Sequence, residues 1–300
     1  MRSADALARL LVTKMSDIRF YSGEVSNNEI IKHDGIKSHI LEDPFSVVSI
    51  LSDDSFKVDT MPSDISLAVL RDYHHGFQRV NQQWLSVKEL SKNDDHVAWT
   101  VVSVYYCAFF CAVEILRLQG KFLMSLTTDE SNILFKAATG SQKEKFLSKG
   151  HTNFVGSISH DFLSIEFKSS GAKPHKFAWS QLAHSTFGAL PNRTSDWIEL
   201  DRFKKICKGT TTWEQPSDIR NRWNYRDAVF FGPRGKGYAY PFLKILKGKD
   251  SATAWVTDHC KVSSENDAIA SLAVICQFLW GALEQSYSLG FSQLFPDVEA

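Results

Sequence analysis

Apolar side chains recur along this chain with two different periods, and the change of period divides it. From Met61-Pro62-Ser63 onward, Leu70, Tyr73, Phe77, Val80, Trp84 and Val87 fall three or four residues apart. That spacing predicts one apolar stripe on a long amphipathic helix. Gly76 in its middle costs about 1 kcal/mol relative to alanine. Ser91 to Asp95 breaks the pattern, and a second helix is expected from about His96 to Leu118, stopped by Gly120. It is apolar nearly all round, with Glu114 and Arg117 only near its end, as suits a helix at the centre of a bundle. Gln215-Pro216-Ser217-Asp218 opens a further helix, with Ser217 as N-cap and Asp218 against the helix dipole. It carries Arg220 to Arg226 and ends at Phe231-Gly232-Pro233, ahead of a loop at Gly235-Lys236-Gly237. The last long helix runs from about Ser264 to Leu289, with a capping-box-like start at Ser264 and Asp267 and a stop at Gly290.

Two other stretches read as β. After a short N-terminal helix, residues 17–60 place Asp34-Gly35 between Ile30-Ile31 and Ile36, a hairpin signal. Phe45 to Leu51 and Phe56 to Val58 then flank the polar turn Ser52-Asp53-Asp54-Ser55. Further on, 153–159 and 162–167 read as two strands around His160-Asp161. The expected fold is mainly α, a helical bundle, with a β-containing N-terminal segment and an α+β insertion. Its parts are an N-terminal β-rich segment at 1–60, a discontinuous bundle at 61–120 and 210–295, and the insertion at 121–209.

Composition permits a sizeable core, with 43% hydrophobic residues in 300. The formal net charge is zero, which argues against a wholly basic chromatin-type binder and against an acidic tail protein. The balance is uneven, however. Residues 202–249 carry 12 basic and 3 acidic side chains, and residues 250–300 carry 1 and 7. The first block is a footprint for a polyanion unless the second folds over it. Five cysteines with no CxxC spacing make no disulfide framework, so a reducing cytoplasm is expected. Asp5 sits where a secretion signal would be apolar. The uncharged runs 97–113 and 268–283 are shorter than the roughly 20 residues a bilayer span needs, and no membrane partner is expected.

The helix from His96 to Leu116 contains the step Ser103-Val104-Tyr105-Tyr106, then small and aromatic residues, then a Leu-rich exit closing on Gly120. It resembles the second helix of HEPN domains. In that superfamily a later helix carries an arginine, often followed by asparagine, with a histidine a few residues on. Arg220-Asn221 matches the start, but the positions where the histidine would fall hold Tyr225, Arg226 and Asp227. The resemblance covers roughly 62–120 and 215–290. It implies a HEPN-like bundle that acts on RNA, as in prokaryotic antiviral defence or toxin–antitoxin systems. It also implies metal-independent cleavage at a cleft between two protomers, in which a ribose 2′-hydroxyl attacks the adjacent phosphate.

On that reading the candidate catalytic residues are Arg220, Asn221, Tyr225 and Arg226. Arg220 would hold phosphate through its forked guanidinium, and Asn221 would orient it or bind the ribose. Tyr225, with an ordinary pKa of about 10, is a poor base. A histidine from elsewhere would have to replace the missing one, and His74, His75, His96 and His259 are the candidates, although each reads first as a surface or capping residue. Lys204, Lys205, Arg222, Arg234, Lys236 and Tyr238 are candidate RNA-binding residues. No cofactor or metal is expected. Cys107 and Cys111 read as core, and there is no HExxH, no zinc spacing, no GxSxG elbow and no complete P-loop. The expected partners are RNA and either a second copy or another protein.

The missing histidine leaves it open whether RNA is cut. One alternative is a non-catalytic binding or assembly module for RNA, nucleotide or a partner protein. Another is a protein without a nucleic-acid role, in which the 222–226 stretch docks the 121–209 insertion through Trp223 and the arginines pair with acids of the last helix such as Glu265, Asp267 or Glu284.

Overall fold

The structure, a computed structural model, describes residues 2–23, 27–43, 46–170, 174–190, 197–226 and 228–291. Phe45 and Asp227 lie outside the described residues. Helices α1 (Arg2–Ser22), α2 (Asn27–Lys32) and α3 (Ile36–Glu42) precede strands β1 (Val47–Ile50) and β2 (Ser55–Asp59). Helices α4 (Pro62–Leu90) and α5 (Val97–Leu118) follow, then β3 (Lys121–Ser125), α6 (Thr128–Phe135), α7 (Lys143–Ser148), β4 (Asn153–Ile158) and β5 (Ser164–Ser169). The remainder is helical: α8 (Pro174–Gln181), α9 (Phe187–Ala189), α10 (Trp197–Lys208), α11 (Pro216–Asn221), α12 (Pro233–Lys236), α13 (Ala239–Leu246), α14 (Lys249–Asp258) and α15 (Glu265–Ser286). Single π turns occupy Leu182–Thr186, Arg222–Arg226 and Tyr287–Phe291. The protein is thus mainly helical with one small antiparallel sheet.

Residues 1–10, 76–112 and 175–287 form one compact unit, and 11–75, 113–174 and 288–300 form another. The second holds the sheet, ordered β1-β2-β5-β4-β3 and antiparallel throughout. The β-strands expected in the N-terminal segment and in the insertion are therefore neighbours, with Phe56 opposite Phe167. Alternation buries Phe56, Val58, Phe122, Met124, Phe154, Ile165 and Phe167. Phe56 stacks on Phe167 at 4.6 Å between ring centroids and meets Phe135 and Phe154 edge-on at 4.9 and 5.1 Å. Gly156 leaves room for the Phe122 ring, which a Cβ there would approach to 2.5 Å.

Residues 30–37 are not a hairpin; they end α2 and begin α3. Gly35 is extended (φ −70°, ψ 164°), without the positive φ of a two-residue hairpin turn. It is glycine for a different reason. The Asp72 carboxylate accepts from the Ile36 N–H at 3.2 Å, and a Cβ on Gly35 would lie 2.4 Å from that group. The β character expected over 17–60 is confined to β1 and β2, and α1 extends to Ser22.

In the first unit, α15 is the buried axis. Nearly every side chain from Ala268 to Leu283 is sealed, and α10, α11, α13 and α14 pack against it. The α4 stripe reaches the same core, where Trp280 stacks against Phe77 at 6.0 Å and Trp84 at 5.6 Å. Ser264 caps α15 by accepting from the Asp267 N–H at 3.2 Å. The α11 cap differs from expectation. Gln215 is the N-cap and Pro216 the first helical residue, so Ser217 lies inside the helix and its hydroxyl donates to Gln215 Oε1 at 2.8 Å. Gly235-Lys236 is not in a loop but in the short α12, where a Cβ on Gly235 would collide with the Phe230 carbonyl. Both α5 and α15 are long and apolar enough to cross a membrane, yet most of each is buried within the chain's own fold.

Truncating Phe56 to alanine removes the ring that meets Phe135, Phe146, Phe154 and Phe167. The expected loss is about 3–5 kcal/mol of stability, read by chemical denaturation with circular dichroism. A loss below about 1 kcal/mol would show that the sheet does not depend on this cluster.

Candidate functional site

Arg220 lies in the last turn of α11, and the π turn Arg222–Arg226 follows it. Tyr225 is five residues after Arg220, and its ring lies 5.5 Å from the Arg220 guanidinium carbon. From α5, the Tyr105 and Tyr106 rings stand at 4.9 and 5.5 Å from the same carbon. Arg220 is only 7% exposed. Among the described residues no carboxylate lies within ion-pair distance of it, and its buried Nε has no hydrogen-bond partner. Three π faces supply what a counter-ion would, each contributing roughly 0.5–2 kcal/mol depending on desolvation.

A histidine stands beside this group. His175, in the first turn of α8, makes a 2.8 Å hydrogen bond through Nδ1 with the Tyr105 hydroxyl, and its ring packs 4.2 Å from Phe109. Burial and then the positive charge of Arg220 hold His175 below the ordinary histidine value of 6.5, so it is neutral at pH 7. Burial raises Tyr105 above 10, so that phenol stays protonated.

The neighbouring Arg222 has a different role. It is held by both oxygens of Glu214, with Nη2 donating to Oε2 at 2.8 Å, and its Nε lies 3.0 Å from Glu265 at the start of α15. The buried Trp223 indole donates to the same Glu265 and stacks on Phe230 at 4.2 Å. Burial opposes the Arg222 charge, but the hydrogen bonds it donates to Glu214 and Glu265 outweigh that and hold its pKa above the ordinary arginine value. The docking expected through Trp223 is of the 121–209 insertion, but among the described residues Trp223 meets Phe230, Tyr238 and Glu265, all outside that segment. The arginine paired with an acid of the last helix is Arg222, and among the described residues Arg220 has no carboxylate within ion-pair distance.

Of the four candidate catalytic residues, the structure brings Arg220 and Tyr225 together. Asn221 is half-buried beside Arg220 in the chain, and Arg226 is exposed at the end of the π turn. The candidate RNA-binding residues are spread over several elements. Lys204 and Lys205 are on α10, the latter paired with Asp201 at 2.6 Å. Arg234 lies over Phe230, Tyr238 stands edge-on to Trp223 and Phe230, and Lys236 pairs with Asp95 at 2.8 Å.

None of the four histidines considered above is recorded against Arg220. His74 is buried on Phe291 in the other unit, His75 and His96 are exposed, and His259 stacks on Trp255. His175 was missed because it lies 70 residues from Tyr105 in sequence, inside the stretch read as an insertion. Its one local signal is Pro174, which marks a helix start. Among the described residues no three histidine, cysteine or acidic side chains are grouped as a metal site requires.

Comparison with protein-family models, curated proteins and solved structures finds no match to this chain.

Glu265→Ala would strip Arg222 of one carboxylate and leave the buried Trp223 N–H unpaired. A loss of roughly 1–3 kcal/mol is expected, read as a lowered denaturation midpoint, with a smaller loss for the more exposed Glu214→Ala. Equal midpoints for Glu265→Ala and the unaltered protein would show that this contact does not hold the turn.

Proposed function

We propose that this protein acts on RNA at Arg220, as a metal-independent endoribonuclease of the HEPN-like kind that its helices resemble. The observation that carries the reading is a buried guanidinium with no carboxylate paired to it among the described residues, next to a hydrogen-bonded tyrosine and a neutral histidine. A scissile phosphate supplies the anion that Arg220 lacks, and the forked donors neutralise charge developing on the phosphorane. In the tautomer where His175 Nδ1 donates to Tyr105, Nε2 is left as the proton acceptor. It takes the proton of the ribose 2′-hydroxyl, O2′ bonds to phosphorus, and the bond to the 5′ oxygen breaks. The imidazolium then returns a proton to that leaving oxygen, so the products are a 2′,3′-cyclic phosphate and a 5′-hydroxyl. Tyr225, 69% exposed, must swing aside to admit the phosphate.

RNA is the partner in this reading, with a second copy or another protein completing the cleft. Five free thiols support a cytoplasmic setting, and prokaryotic defence or toxin–antitoxin function follows from the resemblance alone.

The burial of Arg220 favours a second reading, a binding module in which the three tyrosines hold the cation permanently. The assay that separates the two is RNA cleavage in EDTA, with end-group analysis for cyclic phosphate. The nuclease reading predicts turnover that Arg220→Ala and His175→Gln each reduce by about 100-fold or more. Because the lowered His175 must be neutral to accept a proton, the rate should rise with pH through a midpoint below 6.5 and then level off. Intact RNA under all these conditions would leave only the binding module.

A further inference from the structure

The same unit contains a second basic feature, away from Arg220 in the sequence and built from other residues. A concavity of about 490 Å³ is lined by Ser91, Lys92 and Asp94 after α4 and by residues of α12 and α13. Lys236, Tyr240, Lys244 and Lys247 follow one another at intervals of four, four and three residues, and all four line it. In α13 and its C-cap this spacing keeps Tyr240, Lys244 and Lys247 on one helical face, spanning about 10 Å at 1.5 Å per residue, and Lys236 joins them in the lining from α12. Lys92 lines the same concavity from the α4 side.

Its charges are unevenly committed. Lys236 pairs with Asp94 and Asp95, and Lys92 with Glu89, all at half or greater exposure, where ion pairs contribute little and exchange readily. Among the described residues Lys244 and Lys247 have no ion pair, and both are exposed. Between these lysines Tyr240 stands 76% exposed, with Leu243 and Ala239 also in the lining. A row of lysines beside an unpacked aromatic ring is the chemistry of single-stranded nucleic acid. Phosphates meet the ammonium groups, and a base released from pairing stacks on the ring. A duplex would offer the phosphates but no free base face.

We infer that the Lys236–Tyr240–Lys244–Lys247 face is a docking site for single-stranded RNA, a tract that binds flanking nucleotides apart from any scissile phosphate. This inference rests on the RNA reading proposed above and adds to it the strandedness and a second contact.

The test is fluorescence anisotropy on the full chain with a labelled 12-nucleotide unstructured RNA, the matching RNA duplex and inorganic polyphosphate. Tyr240→Ala should weaken single-strand binding by about fivefold or more and leave polyphosphate unchanged. Lys244→Ala/Lys247→Ala should weaken both and reduce the slope of log affinity against log salt by about 1.4, at roughly 0.7 per lost phosphate contact. Equal single-strand affinity for these variants and the unaltered chain, or tighter duplex binding that ignores Tyr240, overturns the inference. Cleavage of a dinucleotide, too short to span both places, reports on Arg220 alone. Loss of patch binding effects with dinucleotide cleavage intact refutes the docking face only. Patch-dependent binding without any cleavage refutes the nuclease reading only and supports the docking face.

Discussion

A guanidinium withdrawn from water needs a partner, and at Arg220 the partners are aromatic faces. Tyr105 and Tyr106 come from α5, and Tyr225 from the π turn five residues on. Cation–π attraction stabilises the cation without consuming its hydrogen-bonding capacity as a carboxylate would. The arrangement depends on neighbours that remove competing carboxylates. Glu214 and Glu265 are both bound to Arg222, and Glu265 is additionally fixed by the Trp223 indole. Two arginines two residues apart thus have different surroundings: one is tied to the start of α15, and the other lies among three tyrosine rings.

The uneven charge along the sequence has a physical outcome in the fold. Of the acids described between 250 and 286, Glu265 is the one that pairs with the basic block, while Asp267 serves Ser263 and the cap of α15. The basic residues are neutralised more by acids elsewhere, Asp201, Glu214, Asp94 and Asp95. What survives is not one basic surface but two distinct arrangements, a buried cation among tyrosines and an exposed lysine face beside Tyr240. On the RNA reading proposed above, the first would hold a phosphate and the second a flanking single strand.

Elements set by local periodicity could be read from the chain. The α4 stripe from Leu70 to Val87, the apolar α5 and the Ser264 cap appear where the spacing put them, because helices are stabilised by contacts three and four residues apart. Features set by distant partners could not. Asp34-Gly35 mimics a hairpin turn, but Gly35 is dictated by Asp72 from α4. Arg220 and Tyr225 were visible as candidates, and Glu265 as a partner for the arginines, whereas the choice of Arg222 over Arg220 depends on how α11 meets α15. His175 could be named only once α8 was seen against α5. A motif that relies on a histidine a few residues from the arginine finds nothing here, although an imidazole lies close enough for the guanidinium to lower its pKa.

The central claim is that Arg220 is held ready for a phosphate and is not merely a packed cation. Isothermal titration with a ribonucleoside 3′-monophosphate measures this directly, without requiring turnover. Saturable binding is expected, weakening as salt rises and disappearing in Arg220→Met, while Lys168→Met on β5 binds as the unaltered chain does. Identical binding isotherms for Arg220→Met and the unaltered protein would contradict it.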